Sequence, residues 1–293
     1  MKNRKIYHIP VLLQDAIDAL NIQEGGKYID GTLGGGGHAK LILERGGVVL
    51  GIDQDSDAID ECREEFKDRK NIIVAQGNFM NIKKIAGDYD FIPCSGILLD
   101  LGTSVHQIKE SERGFTFMKH EFLDMRMDKG KGLSAFDIVN KWPKEELIRI
   151  FGEYGEESDS GIIAETIVKR RKKQEIVYSD ELAGIISKIK NRREKDIHPA
   201  TKVFQALRIA VNDELNTLKR GIEESMEVLG SGGRLTIISF HSLEDRIVKQ
   251  AFLKLEREKM GRVITKKPIT AGKSEIEKNR KARSAKLRVF EKN

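Results

Sequence analysis

The chain has 293 residues, 39% hydrophobic and 33% charged, which is enough apolar material for a buried core and excludes wholesale disorder. No apolar run approaches the roughly 18 residues of a membrane span. The basic start Met1-Lys2-Asn3-Arg4-Lys5 is not followed by an apolar signal core, and Cys62 and Cys94 are too few for a disulfide framework, so a cytoplasmic protein with two reduced thiols is expected. The net charge of +6 is uneven: residues 254–293 carry fourteen Lys and Arg against five Asp and Glu, residues 169–202 eleven against five, and the remainder is acidic. Such segregation marks a polyanion partner, and charge alone leaves RNA, DNA and an anionic membrane open.

In chain order, Tyr28 to Asp30 reads as a strand end, followed by a glycine-rich turn and a helix from about His38 to Glu44. Val48 to Asp53 is a second strand, Asp57 to Phe66 an acidic helix, Ile72 to Ala75 a third strand and Gly96 to Leu101 a fourth. Strands alternating with helices predict an α/β fold with a parallel sheet, whose ligands bind beyond the carboxyl ends of the strands. From about 109 to 202 helical patterns dominate: Pro143 to Phe151, Ile162 to Arg171 and Ser179 to Ile189. This stretch reads as a helical insertion between two parts of the sheet domain, 1–108 and 203–293. Val203 to Leu229 reads as one long amphipathic helix ended by Gly232-Gly233. Arg234 to Phe240 is then a strand, His241 to Glu256 a helix, and Val263 to Thr265 and Leu287 to Glu291 two final strands joined by a basic loop.

The strongest local signal is Asp30-Gly31-Thr32-Leu33-Gly34-Gly35-Gly36-Gly37-His38 between strand and helix. Glycines let the backbone turn tightly and approach a ligand, and the following helix N-terminus offers free N–H groups. The next strand ends in Asp53, a carboxylate suited to both hydroxyls of an adenosine ribose, whether in NAD or in S-adenosylmethionine. Gly77-Asn78-Phe79 and Asp100 end the third and fourth strands on the same edge. Phe79 is placed to lie against an adenine face or simply to pack in the core.

More specific segments follow: His8-Ile9-Pro10-Val11-Leu12, Asp30 to His38, Leu99-Asp100-Leu101-Gly102, Arg113-Gly114-Phe115, Leu123-Asp124-Met125-Arg126-Met127-Asp128, Tyr154-Gly155-Glu156-Glu157, His198-Pro199-Ala200-Thr201, Phe204 to Leu215, Gly232 to Arg246, and Ala282-Arg283-Ser284-Ala285-Lys286-Leu287-Arg288. In order and nearly end to end, these resemble the bacterial 16S ribosomal RNA cytosine-N4 methyltransferases. The resemblance implies a class I S-adenosylmethionine-dependent methyltransferase sheet, Rossmann-like, with an inserted helical domain for substrate recognition. It also implies methylation of the exocyclic amine of a cytidine in the decoding centre (P-site region), with the small ribosomal subunit as partner and DNA not expected. By matching motif, Gly36, Gly37 and His38 would contact the cofactor, Asp53 would hold its ribose, and Phe79, Asp100 and Gln107 would complete the pocket. The chain departs from the family where Val-Ser-Ser-Pro-Gln becomes Thr103-Ser104-Val105-His106-Gln107. It departs again where an arginine-bearing helix start becomes Ser158-Asp159-Ser160-Gly161, and where Asn-Pro-Arg-Ala-Arg becomes Asn279-Arg280-Lys281-Ala282-Arg283.

Methyl transfer to a cytosine amine asks the protein to align two reactants and to receive the positive charge that grows on nitrogen. Many amino-methyltransferases do this with an acidic or amide residue before Pro-Pro and an aromatic. This chain has no adjacent prolines, and the corresponding strand end is Asp100-Leu101-Gly102. Asp100, or the backbone beside it, is therefore the expected acceptor, with a pure cofactor-binding role as the rival. Alternation puts Asp124, Arg126 and Asp128 on one face of an extended segment, as a substrate-pocket lining or as a local ion pair. His8 and His241 are further substrate-side candidates. Lys169 to Lys173 and the tail cations Arg280, Lys281, Arg283 and Lys286 are expected to hold phosphates. No Cys/His cluster has zinc spacing, so no metal is expected. A nicotinamide oxidoreductase would not explain the basic tail, and a non-catalytic RNA-binding assembly factor would make the cofactor constellation superfluous.

Overall fold

The computed structural model describes residues 10–103, 107, 111–130, 132–189 and 198–293. His8 and His106 lie outside them. Contacts divide the chain into two compact units, Met1–Ser104 with Leu215–Asn293, and Val105–Glu214.

The first unit is built on a seven-stranded sheet. Its strands are β1 (Lys27–Asp30), β2 (Val48–Asp53), β3 (Ile72–Gln76), β4 (Cys94–Asp100), β5 (Leu229–Ser239), β6 (Gly261–Val263) and β7 (Lys286–Lys292), in the order β3-β2-β1-β4-β5-β7-β6. The strands from β3 to β5 pair in parallel, and β7 runs antiparallel to β5 and β6. The order reverses between β1 and β4, which is the switch point where such sheets bind ligands. Alternate residues face opposite sides. Ile29, Leu50, Ile52, Ile97, Leu99 and Ile237 enter one core and Tyr28, Val49, Leu98 and Ile238 the other. With both faces covered, the strands read as nearly continuous apolar runs.

Three helices cover one face: α1 (Leu13–Leu20), α2 (Gly37–Glu44) and α3 (Ser56–Glu65). α3 is rich in charge, yet Ala58, Ile59 and Cys62 form a helical stripe into the core, and the Asp55 side chain caps it by accepting the Asp57 N–H. α4 (Ile82–Asp88) packs on the other face.

The second unit is helical. Its core joins Ile138 of α5 (Ala135–Lys141), Leu147 and Phe151 of α6 (Lys144–Glu153), Ile163 and Ile167 of α7 (Ser160–Arg171), and Leu182 and Ile186 of α8 (Ser179–Ile189). Ser134 and Asp137 form a capping box at the start of α5.

The single helix expected from Val203 to Leu229 is two. α9 (Thr201–Asn212) ends where Asp213 turns left-handed at φ 50°, and α10 (Glu214–Val228) begins there. Val203, Phe204 and Leu207 of α9 belong to the helical core, whereas Leu218, Ile222 and Met226 of α10 belong to a core of the sheet. Continuous amphipathicity therefore hides a change of core, and α9 falls in the helical unit that the sequence reading ended at 202. The Gly232-Gly233 stop likewise lies inside β5, where Gly232 adopts φ 75°.

In β5, Arg234 to Ser239 pairs with β7, and α11 (Ser242–Arg257) adds Val248 and Phe252 to the sheet core. The basic connection between β6 and β7 is not a bare loop. It carries α12 (Lys273–Lys278) and a 3-10 turn, Arg280–Ser284, and buries Ala282 and Ala285. No helix among the described residues is long and apolar enough to cross a membrane. Both cysteines are buried and unpaired with each other; burial pushes the Cys94 thiol up to about 12 and the Cys62 thiol up as well.

Candidate active site

The carboxyl ends of β1, β2 and β4 bring Asp30, Asp53 and Asp100 to one edge. The loop after β1 is stitched to its neighbours: Gly31 N–H donates to the Leu98 carbonyl (2.9 Å) and Leu33 N–H to the Ile52 carbonyl (2.9 Å). Asp53 accepts the Gly34 N–H on Oδ2 at 2.8 Å and the Asp55 N–H on Oδ1 at 2.9 Å. Burial nevertheless pushes its carboxyl up to about 6, against the pull of those amides. Asp100 donates its N–H to the Thr32 hydroxyl at 2.6 Å, which ties the end of β4 to the glycine loop.

Asp30 opens the loop motif and is a site residue that the sequence reading misses. It is 1% exposed, its Oδ1 accepts the Thr32 N–H (3.2 Å), and Oδ2 takes no close hydrogen bond among the described residues. Burial pushes this carboxyl up to about 7, opposed by the Thr32 amide and reinforced by Asp100 and Asp53. A carboxylate at a strand end just ahead of the glycine loop is visible in the sequence; its depth is not.

The glycines answer to packing as much as to a ligand. Gly36 holds φ 72° before α2, and a Cβ there would lie 2.6 Å from the Phe66 ring; a Cβ on Gly37 would lie 2.2 Å from Pro10. Cys62 donates its thiol to the Gly34 carbonyl at 3.2 Å, a loop contact the sequence did not suggest. His38 is buried in α2. Phe79 opens a 3-10 turn after β3, and its ring sits 2.5 Å from where a Gly221 Cβ would be, so the ring packs against α10.

Several expected substrate-side residues have local partners. Met125 adopts φ 58° between Asp124 and Arg126, which breaks the extended segment that would have aligned them. Arg126 instead forks onto the Asp124 carboxylate through Nε (2.6 Å) and a terminal nitrogen (3.0 Å), and Asp128 accepts the Gly130 N–H (2.8 Å). This is the ion-pair reading. The loop is pinned further by Asn212, whose side chain donates to the Met125 carbonyl and accepts the Met127 N–H, both at 2.8 Å. Gln107 is buried in the helical unit, and its carbonyl accepts the Ser111 hydroxyl at 2.6 Å. His241 caps α11 by accepting the Glu244 N–H at 3.4 Å in a capping box. Lys286 pairs with Asp245 at 3.1 Å, and Arg288 joins the same carboxylate at 2.6 Å. Arg283 is exposed.

The model of the MraW methylase family matches residues 5–293. The chain belongs to the MraW methylase family. Relatives named ribosomal RNA small subunit methyltransferase H agree: that of Clostridium botulinum (strain Loch Maree / Type A3) is 47% identical, with 97% of this chain and 98% of its own length covered. Those of Carboxydothermus hydrogenoformans and Syntrophus aciditrophicus are 46% and 45% identical, each with 97% of both chains covered. The protein is thus an S-adenosylmethionine-dependent methyltransferase with the class I sheet.

The edge of this MraW-family sheet fits that cofactor. Its sulfonium and ammonium are cations, and the site offers buried carboxylates, one of which, Asp30, has a buried oxygen without a close hydrogen bond among the described residues. Carboxylates held up by burial gain most from a cation placed beside them. Bound, the cofactor supplies an activated methyl; the remaining work of holding, aligning and accepting a proton belongs to the chain.

Proposed function

We propose that this methyltransferase modifies the N4 exocyclic amine of a cytidine in the decoding centre (P-site region) of 16S ribosomal RNA, acting in the cytoplasm on the small ribosomal subunit. The 46–47% identity, over nearly the full length, to proteins named ribosomal RNA small subunit methyltransferase H carries the reading. Asp53 holds the ribose hydroxyls on lone pairs left over from the Gly34 and Asp55 amides. By the matching motifs, Gly36, Gly37 and His38 contact the cofactor, and Phe79 and Gln107 are further cofactor-binding residues. Asp100 accepts an N–H of the cytosine amine and takes its proton, an interaction type worth about 3–4 kcal/mol in the transition state. Its main chain is already fixed by Thr32, so its placement does not wait for substrate.

A cytidine in a single-stranded RNA loop is inexpensive to unstack, and the protein then reads shape more than sequence. The helical unit serves this recognition. Exposed cations with phosphates to meet are Lys172, Lys173, Arg280 and Arg283. His8, Asp124, Arg126, Asp128, His241 and Lys286 remain substrate-side candidates, the last five through the segments they brace.

Transfer of labelled methyl to small subunits lacking the modification, with naked rRNA alongside and nucleoside mass spectrometry on the product, tests this. One site of N4-methylcytidine is expected. A methylated product that is not N4-methylcytidine would overturn the assignment, as would no incorporation by protein shown to bind the cofactor. Asp100→Asn, assayed at saturating cofactor, isolates its role: an unchanged transfer rate would leave Asp100 with cofactor binding only.

A further inference from the structure

Lys281 was expected among the phosphate-binding cations of the tail, but its side chain turns inward. The Asn279 side chain accepts the Lys281 N–H (3.2 Å) at the start of the 3-10 turn, and Ala282 and Ala285, 0% and 1% exposed, anchor that turn in the core. From there the Lys281 ammonium donates to the carbonyl of Thr103 and lies 5.2 Å from the centre of the Phe240 ring. Thr103 is three residues beyond Asp100, and Phe240 is the first residue beyond β5. The two adjacent strands are linked at their ends by the Leu101 N–H donating to the Ile238 carbonyl (2.9 Å). Between Asp100 and Thr103 lies Gly102 at φ 94°, a residue whose backbone has more freedom than any other. One cation therefore spans the exits of β4 and β5 just past the point where the chain is easiest to bend.

We infer that Lys281 is a positioning residue for methyl transfer, fixing the Gly102–Thr103 turn so that the β4 end keeps Asp100 in the geometry the amine requires. The inference rests on the proposed role of Asp100 for its effect on rate, but the tether itself does not. A carbonyl-bound ammonium that also faces an aromatic ring is held in place from two sides. Displacement of a reacting group by about 1 Å costs up to about a hundredfold in rate. A phosphate-binding lysine would act differently: its loss weakens RNA binding at all sequences and lowers the salt slope by about 1.

The full-length protein with Lys281→Met and Lys281→Arg separates these roles. The methionine keeps the stem and removes the charge and the donor; the arginine restores both. For Lys281→Met we expect faster amide hydrogen exchange in the peptide covering residues 99–103. We also expect single-turnover transfer to small subunits, at saturating cofactor and substrate, to slow by roughly tenfold to a hundredfold, with subunit affinity unchanged. Lys281→Arg should return both toward wild type. Unchanged exchange overturns the tether. Faster exchange with an unchanged saturated rate overturns the positioning role, and weakened subunit binding with an unchanged saturated rate returns Lys281 to the phosphate contacts. Asp100→Asn in the same assay keeps the two readings apart: if it transfers at the wild-type rate while Lys281→Met is slow and exchanges faster, the proton-acceptor reading fails and with it the positioning of Asp100, while the tether of Lys281 to the turn stands.

Discussion

The edge of the sheet and the C-terminal segment both concentrate charge of one sign, and the fold treats them in opposite ways. At the edge, Asp30 and Asp53 face backbone amides and one another, with burial raising both carboxyls to about 7 and about 6. In the C-terminal segment these inward cations meet acceptors within the protein: Lys281 on the Thr103 carbonyl, Lys286 and Arg288 both on Asp245, Lys292 on the Met226 and Leu229 carbonyls. The first arrangement leaves a deficit that a cation can fill. The second spends its charge internally, so a count of lysines and arginines overstates the phosphate contacts available. The largest test of this contrast is Asp53→Ala. It removes the acceptor of two loop amides and the proposed ribose contact, each a charged hydrogen bond worth roughly 1.5–3 kcal/mol. Cofactor affinity, measured by calorimetry, should fall at least about a hundredfold by that scale, and a dissociation constant within a few-fold of wild type would remove Asp53 from the site.

A smaller effect follows from pH. Asp30 and Asp53 titrate above their unfolded values, so without ligand the folded state holds extra protons. Their contribution to stability is therefore fullest below pH 4 and declines as pH rises toward 7, where both groups must ionise while buried. A cationic cofactor binds the ionised form better, so its affinity should rise by roughly tenfold or more from pH 5 to pH 7.5 and then level off. S-adenosylhomocysteine lacks the sulfonium charge and should show a shallower rise. Asp30→Asn should flatten the stability decline, an effect bounded by about 4 kcal/mol from the size of the shift. Equal pH slopes for the two ligands would mean that the edge does not sense the sulfonium.

The sheet was legible because its evidence is local. Short apolar runs, strand-end carboxylates and a glycine loop each sit within a few residues, and their alternation with helices implies a parallel sheet. What escaped was set by partners distant in sequence. Nothing near Asp213 announces that one amphipathic stripe serves two cores. Nothing near Met125 shows that a left-handed residue folds Arg126 back onto Asp124. Nothing near Gly36 and Gly37 shows that Phe66 and Pro10 fill the space a Cβ would need there. The run Lys169 to Lys173 looked uniform, yet Arg171 donates to the Val139 and Trp142 carbonyls at the end of α5, both at 2.7 Å, and Lys169 pairs with Glu165 at 2.6 Å. Arg171→Met should thus cost about 1–3 kcal/mol, the range for a buried acceptor left unmet, whereas Lys172→Met, at an exposed position, should stay within about 0.5 kcal/mol. Thermal denaturation of the two variants reads the difference directly, and equal losses would mean that the end of α5 does not depend on Arg171.

The finest division lies within the tail itself, between Arg283 and Lys286, three residues apart. Arg283 is exposed on the 3-10 turn, while Lys286 shares Asp245 with Arg288. A phosphate contact releases counterions, so its loss shows as a change in the salt dependence of RNA binding rather than in stability. Arg283→Ala should lower the slope of log affinity against log salt by about 1 and leave the melting temperature unchanged. Lys286→Ala should do less to the slope, because the phosphate would first have to compete with Asp245, and Arg288 keeps that carboxylate compensated. If Lys286→Ala changed the slope as much as Arg283→Ala, the Asp245 pair would be giving way to RNA on binding, and the paired cations of the tail would have to be counted again as phosphate contacts.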